Sequence, residues 1–128
     1  MLTLLASSPA AALNIEDYKA MRAKLTSTDW MEANIARLTI AGYTQGVADA
    51  LSVQRGASNR DIPVIPGTSI CMPPSVRLSA DLVRTALDQE IDGHFSFYDS
   101  APEWEKGYAT QLAMAGLLRM FPCNKDPS

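Results

Sequence analysis

The stretch DWMEANIARLTIAGYTQGVADALSV, residues 29 to 53, carries the longest helical hydrophobic pattern in the chain. One apolar stripe repeats every three or four residues, at Met31, Ile35, Leu38, Gly42, Gly46, Ala50 and Val53. A second set widens this stripe, at Ala36, Ile40, Tyr43, Val47 and Leu51. A helix that is apolar around most of its girth is typical of a buried position. The pattern therefore predicts a central helix that is packed on several sides.

Gly42 and Gly46 lie one helical turn apart within this predicted helix. The Gly-x-x-x-Gly spacing also occurs where membrane helices dimerise. Here Arg37 and Asp49 flank the pair, so we interpret both residues as packing glycines of a helix in water. No stretch of the chain reaches the roughly 20 uncharged residues that a membrane span needs, and we expect no membrane anchor.

Three further helices are predicted around the central one. The first runs from about residue 15 to 25 with Asn14 as its N-cap, and the third begins after a cap at Ser79. Ser100 and Glu103 have the spacing of a capping box for the fourth helix, which ends at Phe121 before Pro122. This helix would turn Trp104, Tyr108, Leu112, Ala115, Leu118 and Phe121 inward.

Two long loops separate these helices. Residues 54–77 contain Gly56, Gly67 and four prolines, which predict a loop with a short extended piece over residues 62–65. Residues 92–99 form the second loop. The fold class is therefore all-α: a small four-helix (or slightly larger) bundle-like domain with two long loops, one disulfide and little or no sheet.

The 128 residues suffice for a single domain with its own core. Residues 1–12 end with Ala10 and Ala12 in the A-x-A spacing of a signal-peptide cleavage site, although the basic start of a leader is missing. We interpret residues 1–12 as a signal-peptide remnant, with an N-terminal arm of the mature protein as the alternative. Residues 13–128 then form one helical domain of an exported protein.

Cys71 and Cys123 are the two cysteines of the chain. In an exported protein, two cysteines most simply form one disulfide, which here would close a loop of about fifty residues. Two unrelated buried thiols are the alternative. A zinc site needs more ligands than two cysteines and the distant His94 can supply.

Charge and residue types argue against several functions. The net charge of −3 and the absence of a basic cluster argue against a nucleic-acid partner. His94 is the one histidine, so any triad would depend on it, and Ser96 is too close in a loop to be positioned for attack. We therefore expect no enzymatic activity, no cofactor and no metal ion.

Two loops are candidates for binding another protein. The first has aromatic rings between two aspartates, a composition typical of interface hot spots. Its candidate residues are Asp92, His94, Phe95, Phe97, Tyr98 and Asp99. The alternative is that Phe95 and Phe97 fold back and complete the core. The second candidate is the proline-rich loop, where prolines reduce the entropy lost on binding. Its candidate residues are Arg55, Asn59, Arg60 and Asp61.

Three motifs resemble those of a known family. They are GYTQGVADA at residues 42–50, ICMPPSV at residues 70–76 and FPC at residues 121–123. Together they are similar to the Tai/Rap family of immunity proteins, which act against the amidase toxins of the bacterial type VI secretion system. The resemblance covers about residues 38 to 123. Its structural motif residues are Gly42, Tyr43, Gly46, Asp49, Pro73 and Pro122.

The resemblance implies a small helical protein of the periplasm, often a homodimer, whose partner is a secreted peptidoglycan amidase with a Cys-His catalytic pair. Family members block this enzyme by inserting a loop into its cleft, and the family's paired cysteines correspond to Cys71 and Cys123. One departure is that the segment from about residue 92 to 102 is longer here than the family pattern. A generic periplasmic helical adaptor or chaperone remains the alternative function.

Overall fold

The computed structural model describes residues 13–57, 61–65, 68–93 and 103–123. Within them the chain forms four α-helices and one antiparallel pair of strands, together with two short 3₁₀ helices. In chain order the elements are α1 (Ile15–Ala23), a 3₁₀ helix (Lys24–Thr26), α2 (Trp30–Ala57), β1 (Asp61–Ile65), β2 (Thr68–Cys71), α3 (Ala80–Gly93), a 3₁₀ helix (Trp104–Lys106) and α4 (Ala109–Met120). The predicted small all-α domain is confirmed.

Side-chain caps start the first three helices. The Asn14 carboxamide oxygen accepts from the Asp17 backbone N–H at 2.7 Å, as the sequence predicts. The Asp29 carboxylate accepts from the Met31 backbone N–H at 3.1 Å and so caps α2. The Ser79 hydroxyl accepts from the Leu82 backbone N–H at 3.2 Å. Each cap satisfies a backbone donor that the first helical turn leaves without a partner.

The predicted proline-rich loop contains more regular structure than expected. The helix before it continues to Ala57 instead of ending at Val53. β1 then pairs antiparallel with β2, with Ile62 opposite Ile70. The predicted extended piece at residues 62–65 is confirmed as most of β1. Ile62 and Ile70 are both fully buried, and this burial holds the hairpin against the helices.

The fourth helix begins later than the sequence predicts. Glu103 has a left-handed backbone with φ of 73°, which is incompatible with a place in the first turn of an α-helix. α4 starts only at Ala109, so the predicted capping box is wrong at Glu103, while Ser100 lies outside the described residues. Tyr108 is 52% exposed. The residues that α4 buries are Ala109, Leu112, Ala113, Gly116 and Leu117.

The core lies between α2, α3, α4 and the hairpin. Its members include Tyr18, Ile40, Leu51, Ile62, Ile70, Val83, Leu87, Leu112 and Leu117. α3 and α4 approach closely at Gly116, where an added Cβ would lie 2.3 Å from the Ala86 carbonyl oxygen. Only a glycine permits this distance between the two helix backbones.

One half of the central-helix prediction is wrong. α2 buries Ala36, Ile40, Val47 and Leu51, which the sequence places in its widening set. The main stripe is exposed instead: Met31 by 57%, Ile35 by 59%, Leu38 by 60% and Val53 by 73%. At Gly42 and Gly46 an added Cβ would meet nothing within 4 Å among the described residues. The other helices pack on only one side of α2, so these glycines are not packed within the described part of the chain.

Backbone hydrogen bonds hold the N-terminal end of the described chain against the start of α4. The Ile15 N–H donates to the Gly107 carbonyl and the Ala109 N–H donates to the Leu13 carbonyl, both at 2.9 Å. Cys71 and Cys123 form the predicted disulfide across a sequence separation of 52 residues, with Cα atoms 4.9 Å apart. The disulfide therefore ties β2 to the residues that follow α4.

We expect loss of this disulfide to lower the stability of the domain. Closing a loop of 52 residues stabilises the folded state by roughly 4 kcal/mol in the chain-entropy model, out of a typical total of about 5–15 kcal/mol. The double variant Cys71→Ser/Cys123→Ser should therefore melt more than about ten degrees below the oxidised parent, since each kcal/mol lowers the melting temperature of a domain of this size by several degrees. Differential scanning calorimetry measures this difference. Equal melting temperatures would show that the bridge adds nothing.

Two glycine-to-alanine changes should have opposite effects. Gly116→Ala places a methyl group against the Ala86 carbonyl and should lower the free energy of unfolding by about 1–3 kcal/mol or more. Gly42→Ala meets open space and should be neutral or raise the stability of the monomer by up to about 1 kcal/mol, because alanine favours a helix. Urea denaturation of both variants tests the packing, and a destabilised Gly42→Ala would restore the central-helix prediction.

Candidate partner-binding surfaces

Two of the three sequence motifs meet at the disulfide. Ile70 forms an isolated bridge with Pro122. The Cys71 N–H donates to the Phe121 carbonyl at 2.9 Å. The segment ICMPPSV thus lies beside the segment FPC, with the disulfide directly next to their hydrogen bond.

Arg55 connects this junction to the helix that carries the third motif. Arg55 lies on α2, on the C-terminal side of the motif at residues 42–50. Its guanidinium donates to the carbonyl oxygens of Val76 at 3.0 Å, Met72 at 3.3 Å and Pro73 at 2.8 Å. One planar group with several donors can hold three carbonyls of a turn in fixed positions. The side chain therefore braces the loop after β2 from within the chain.

The second candidate loop is only partly described. Arg55 is engaged with backbone carbonyls, and Asn59 and Arg60 lie outside the described residues. Asp61 is exposed at the start of β1, opposite Cys71 in the hairpin. Its carboxylate is also near both cysteine sulfurs, the one such cluster of potential metal ligands in the described part of the chain. Because those sulfurs are bonded to each other, they are not thiolate ligands.

The stem of the aromatic loop is anchored by Arg22. Asp92, near the end of α3, accepts from the Arg22 guanidinium at 2.9 and 3.2 Å. The same guanidinium donates to Asp88 at 3.0 Å, so one cation joins α1 to two carboxylates of α3. The network fixes the point from which that loop leaves α3. The loop's other candidate residues lie outside the described residues: His94, Phe95, Phe97, Tyr98 and Asp99.

Burial and charge shift the titration of this network. Burial raises the pKa of Tyr18 above its usual value, and its hydrogen bond to Asp88, at 2.7 Å, acts in the same direction. For Arg22, burial lowers the pKa, but the hydrogen bonds and charges of Asp92 and Asp88 outweigh it and raise the pKa. Both pKa shifts favour a protonated Tyr18 and a charged Arg22 at neutral pH.

The outer face of α2 carries four of the six large hydrophobic side chains that are exposed among the described residues. We define this face by Met31, Ile35, Leu38, Gly42, Gly46, Ala50 and Val53, all of them exposed. It faces away from the core residues of the same helix. Gln45 and Asp49 border it, and the Gln45 amide donates to the Asp49 carboxylate at 2.9 Å. Large exposed apolar surfaces of this kind mark interaction sites.

A groove of about 630 Å³ runs along one edge of this face. Leu13 and Thr110 line it opposite the α2 residues from Leu38 to Leu51. The Tyr43 hydroxyl is hydrogen-bonded to the Thr110 hydroxyl at 2.5 Å, which fixes its wall. Burial raises the pKa of Tyr43, while the contact with Thr110 acts against it. The groove therefore offers an apolar surface with its one phenol in the neutral form at neutral pH.

Comparison of the chain with models of protein families, with curated proteins and with solved structures finds no match. Among the helices of the described residues, none combines the length and the hydropathy of a membrane span.

The sequence alone does not reveal two features of these surfaces. Glu90 on α3 is 1% exposed, and its carboxylate accepts from the Arg119 guanidinium of α4 at 2.7 Å. A buried charge needs such a partner, but the two residues are far apart in sequence. The open outer face is the second feature. Its signal in the sequence is the apolar pattern on both sides of α2, a pattern that by itself predicts burial on several sides.

Replacing Arg55 should test whether it acts as a structural brace. Arg55→Ala removes the donors to three carbonyls and should lower the free energy of unfolding by roughly 2–3 kcal/mol, since hydrogen bonds from charged groups contribute most. Arg77→Ala, at an exposed arginine of the same loop, should change it by less than about 0.5 kcal/mol. If both variants unfold at the same urea concentration as the parent, Arg55 does not brace the loop.

Proposed function

We propose that the protein is an immunity protein that binds a peptidoglycan amidase delivered by a type VI secretion system and blocks its active site. The blocked enzyme would be a Cys-His endopeptidase, and the protein would protect the producing cell and its siblings. The observation that supports this proposal most is the meeting of the motif segments at the Cys71–Cys123 bridge.

This meeting matters because the segments are far apart in sequence. A chance resemblance in short motifs places no constraint on their distance in space, whereas a disulfide requires Cα atoms within about 4.4–6.8 Å. Here Ile70 pairs with Pro122 next to the bridge, and Arg55 ties α2 to the same loop. Two of the three segments that carry the resemblance thus meet at one junction, and Arg55 ties the helix that carries the third to the same loop.

In this proposal the protein is located in the periplasm, where it forms a homodimer. Disulfides persist in oxidising compartments such as the bacterial periplasm, where peptidoglycan amidases also act. The bridge supports export in this way, and the A-x-A spacing at Ala10 and Ala12 supports it independently.

Inhibition in this proposal is steric, with a loop that enters the cleft of the amidase. The aromatic loop is the first candidate, because its stem is held to α1 by the Arg22–Asp92 ion pair. A loop with a fixed stem loses less entropy on binding than a free one. Its rings supply apolar contact area at low conformational cost. The proline-rich loop is the second candidate. Its Arg55 side chain already donates to a backbone carbonyl within the chain, so Asn59, Arg60 and Asp61 remain as its candidate binding residues.

The experiment measures binding to the amidase encoded by the neighbouring gene. Calorimetry with an amidase whose catalytic cysteine is replaced should give a saturable complex, and the active enzyme should lose peptidoglycan hydrolysis on titration. Phe97→Ala/Tyr98→Ala should weaken binding by at least roughly a hundredfold, because two truncated hot-spot rings cost about 3 kcal/mol or more. The matched variant Asn59→Ala/Arg60→Ala should bind almost as the parent does.

Other outcomes assign the function differently. The reverse pattern of affinities would give the blocking role to the proline-rich loop. A loss of the helical circular dichroism signal in the aromatic variant would place its rings in the core. Absence of binding to any neighbouring amidase would contradict the immunity proposal and favour a periplasmic adaptor or chaperone.

A further inference from the structure

Three potential metal ligands converge at the start of the hairpin. An oxygen of the Asp61 carboxylate and the sulfurs of Cys71 and Cys123 all lie within 4.8 Å of one another. Asp61 is directly opposite Cys71 in the antiparallel register of β1 and β2, and the bridge brings in Cys123 from the residues after α4. The sequence offers His94 as a third ligand beside the two cysteines, whereas the structure brings Asp61 to them.

Backbone contacts that do not involve the sulfur–sulfur bond also hold these segments together. The Cys71 N–H donates to the Phe121 carbonyl at 2.9 Å, and Ile70 forms an isolated bridge with Pro122. The pairing of β1 with β2 is likewise independent of the bridge. We therefore expect the backbone of Cys123 to stay beside β2 when the disulfide is reduced.

We propose that reduction of the Cys71–Cys123 bridge turns this cluster into a binding site for a zinc ion, with both cysteines and Asp61 as its ligands. Thiolate sulfur and carboxylate oxygen both bind zinc, and at tetrahedral angles their bonds place neighbouring ligand atoms about 3.5–3.8 Å apart. The three atoms already lie within 4.8 Å of one another. Zinc therefore requires only that the two sulfurs separate by rotation of their side chains.

The change of state is a two-electron exchange followed by metal binding. A dithiol reductant supplies two electrons and two protons, which convert the bridge into two thiols, and is itself oxidised to a disulfide. Zinc then displaces one proton from each thiol, and these protons go to solvent as the zinc–sulfur bonds form. A disulfide oxidant reverses the sequence: it takes two electrons from the thiolates, the sulfur–sulfur bond forms again and zinc leaves.

The ligand set selects a thiophilic cation and leaves one position open. Thiolates favour zinc over magnesium and calcium, which prefer oxygen ligands. Within the part of the chain that the structure describes, the cluster contains no fourth histidine, cysteine or acidic side chain. A water molecule would therefore complete a four-coordinate zinc ion. Because Asp61 is exposed, the ion has a path from solvent to the site.

Zinc would hold three segments of the fold where the disulfide holds two. Its ligands would come from β1, from β2 and from the residues after α4, so the junction would stay closed in the reduced chain. A metal ion that binds only the folded chain adds to the stability of the fold. The chain would then be held at this junction before the bridge has formed. This role goes beyond the proposed function and does not depend on any amidase.

Zinc uptake by the reduced full chain tests the site. The chain is reduced with dithiothreitol, freed of the reductant without oxygen, and titrated with zinc in competition with a chromogenic chelator. It should bind one zinc ion with a dissociation constant of micromolar or below, whereas the oxidised chain should bind none. Cadmium should give the reduced parent a thiolate-to-metal charge-transfer band that Cys71→Ser/Cys123→Ser lacks. A folded, reduced parent that takes up no zinc would overturn the site.

Asp61→Asn distinguishes a built site from two adjacent thiols. The variant keeps both cysteines but removes the carboxylate ligand. The zinc affinity of the reduced chain should fall at least about tenfold, because even residues that only support a metal ligand contribute that much. The matched control Asp81→Asn changes an exposed aspartate in the first turn of α3 and should bind zinc as the parent does. Equal affinities of the two variants would leave only adventitious binding by thiols.

Thermal unfolding followed by circular dichroism covers the case in which the reduced chain folds poorly. One equivalent of zinc should raise the melting temperature of the reduced chain, or restore its helical signal where reduction has removed it. The oxidised chain should melt at the same temperature with and without zinc. The effect of zinc on reduced Asp61→Asn should be smaller than on reduced Asp81→Asn. A reduced parent whose melting curve or unfolded spectrum is the same with and without zinc would overturn the inference.

Discussion

The approach of α4 to α3 at Gly116 sets the spacing on which the core depends. The Ala86 carbonyl occupies the space that a side chain at Gly116 would need, so the two helices form a thin, tightly packed pair. Val83, Leu87 and Leu117 are fully buried in the core that this pair forms with one side of α2. Among the described residues, the domain completes its core on that side of α2 alone.

The disulfide and Arg55 close this arrangement at one end. The Cys71–Cys123 bridge joins the hairpin to the residues after α4, and the Arg55 guanidinium joins α2 to the turn that follows β2. The aromatic loop leaves α3 outside this junction, whereas Arg55 and Asp61 of the proline-rich candidate lie at it.

The open outer face gives the molecule a second surface with different chemistry. It is apolar and contains a glycine pair, whereas the stem of the aromatic loop is a charged cluster around Arg22. A surface of the first kind suits a permanent contact with a helix, because burial of apolar area needs no matching charge. A charged stem beside a loop suits recognition of a partner that binds after folding.

Local signals in the sequence determined the helices, the caps at Asn14 and Ser79, and the pairing of two cysteines, because each depends on neighbouring residues or on a count. The late start of α4 could not be predicted from the sequence, because the left-handed backbone of Glu103 depends on its surroundings in the fold. The roles of the glycines also required the tertiary structure. Periodicity shows that a helix has apolar sides, but only the positions of the other helices decide which side is covered. For that reason Gly116 is packed, while Gly42 faces open space.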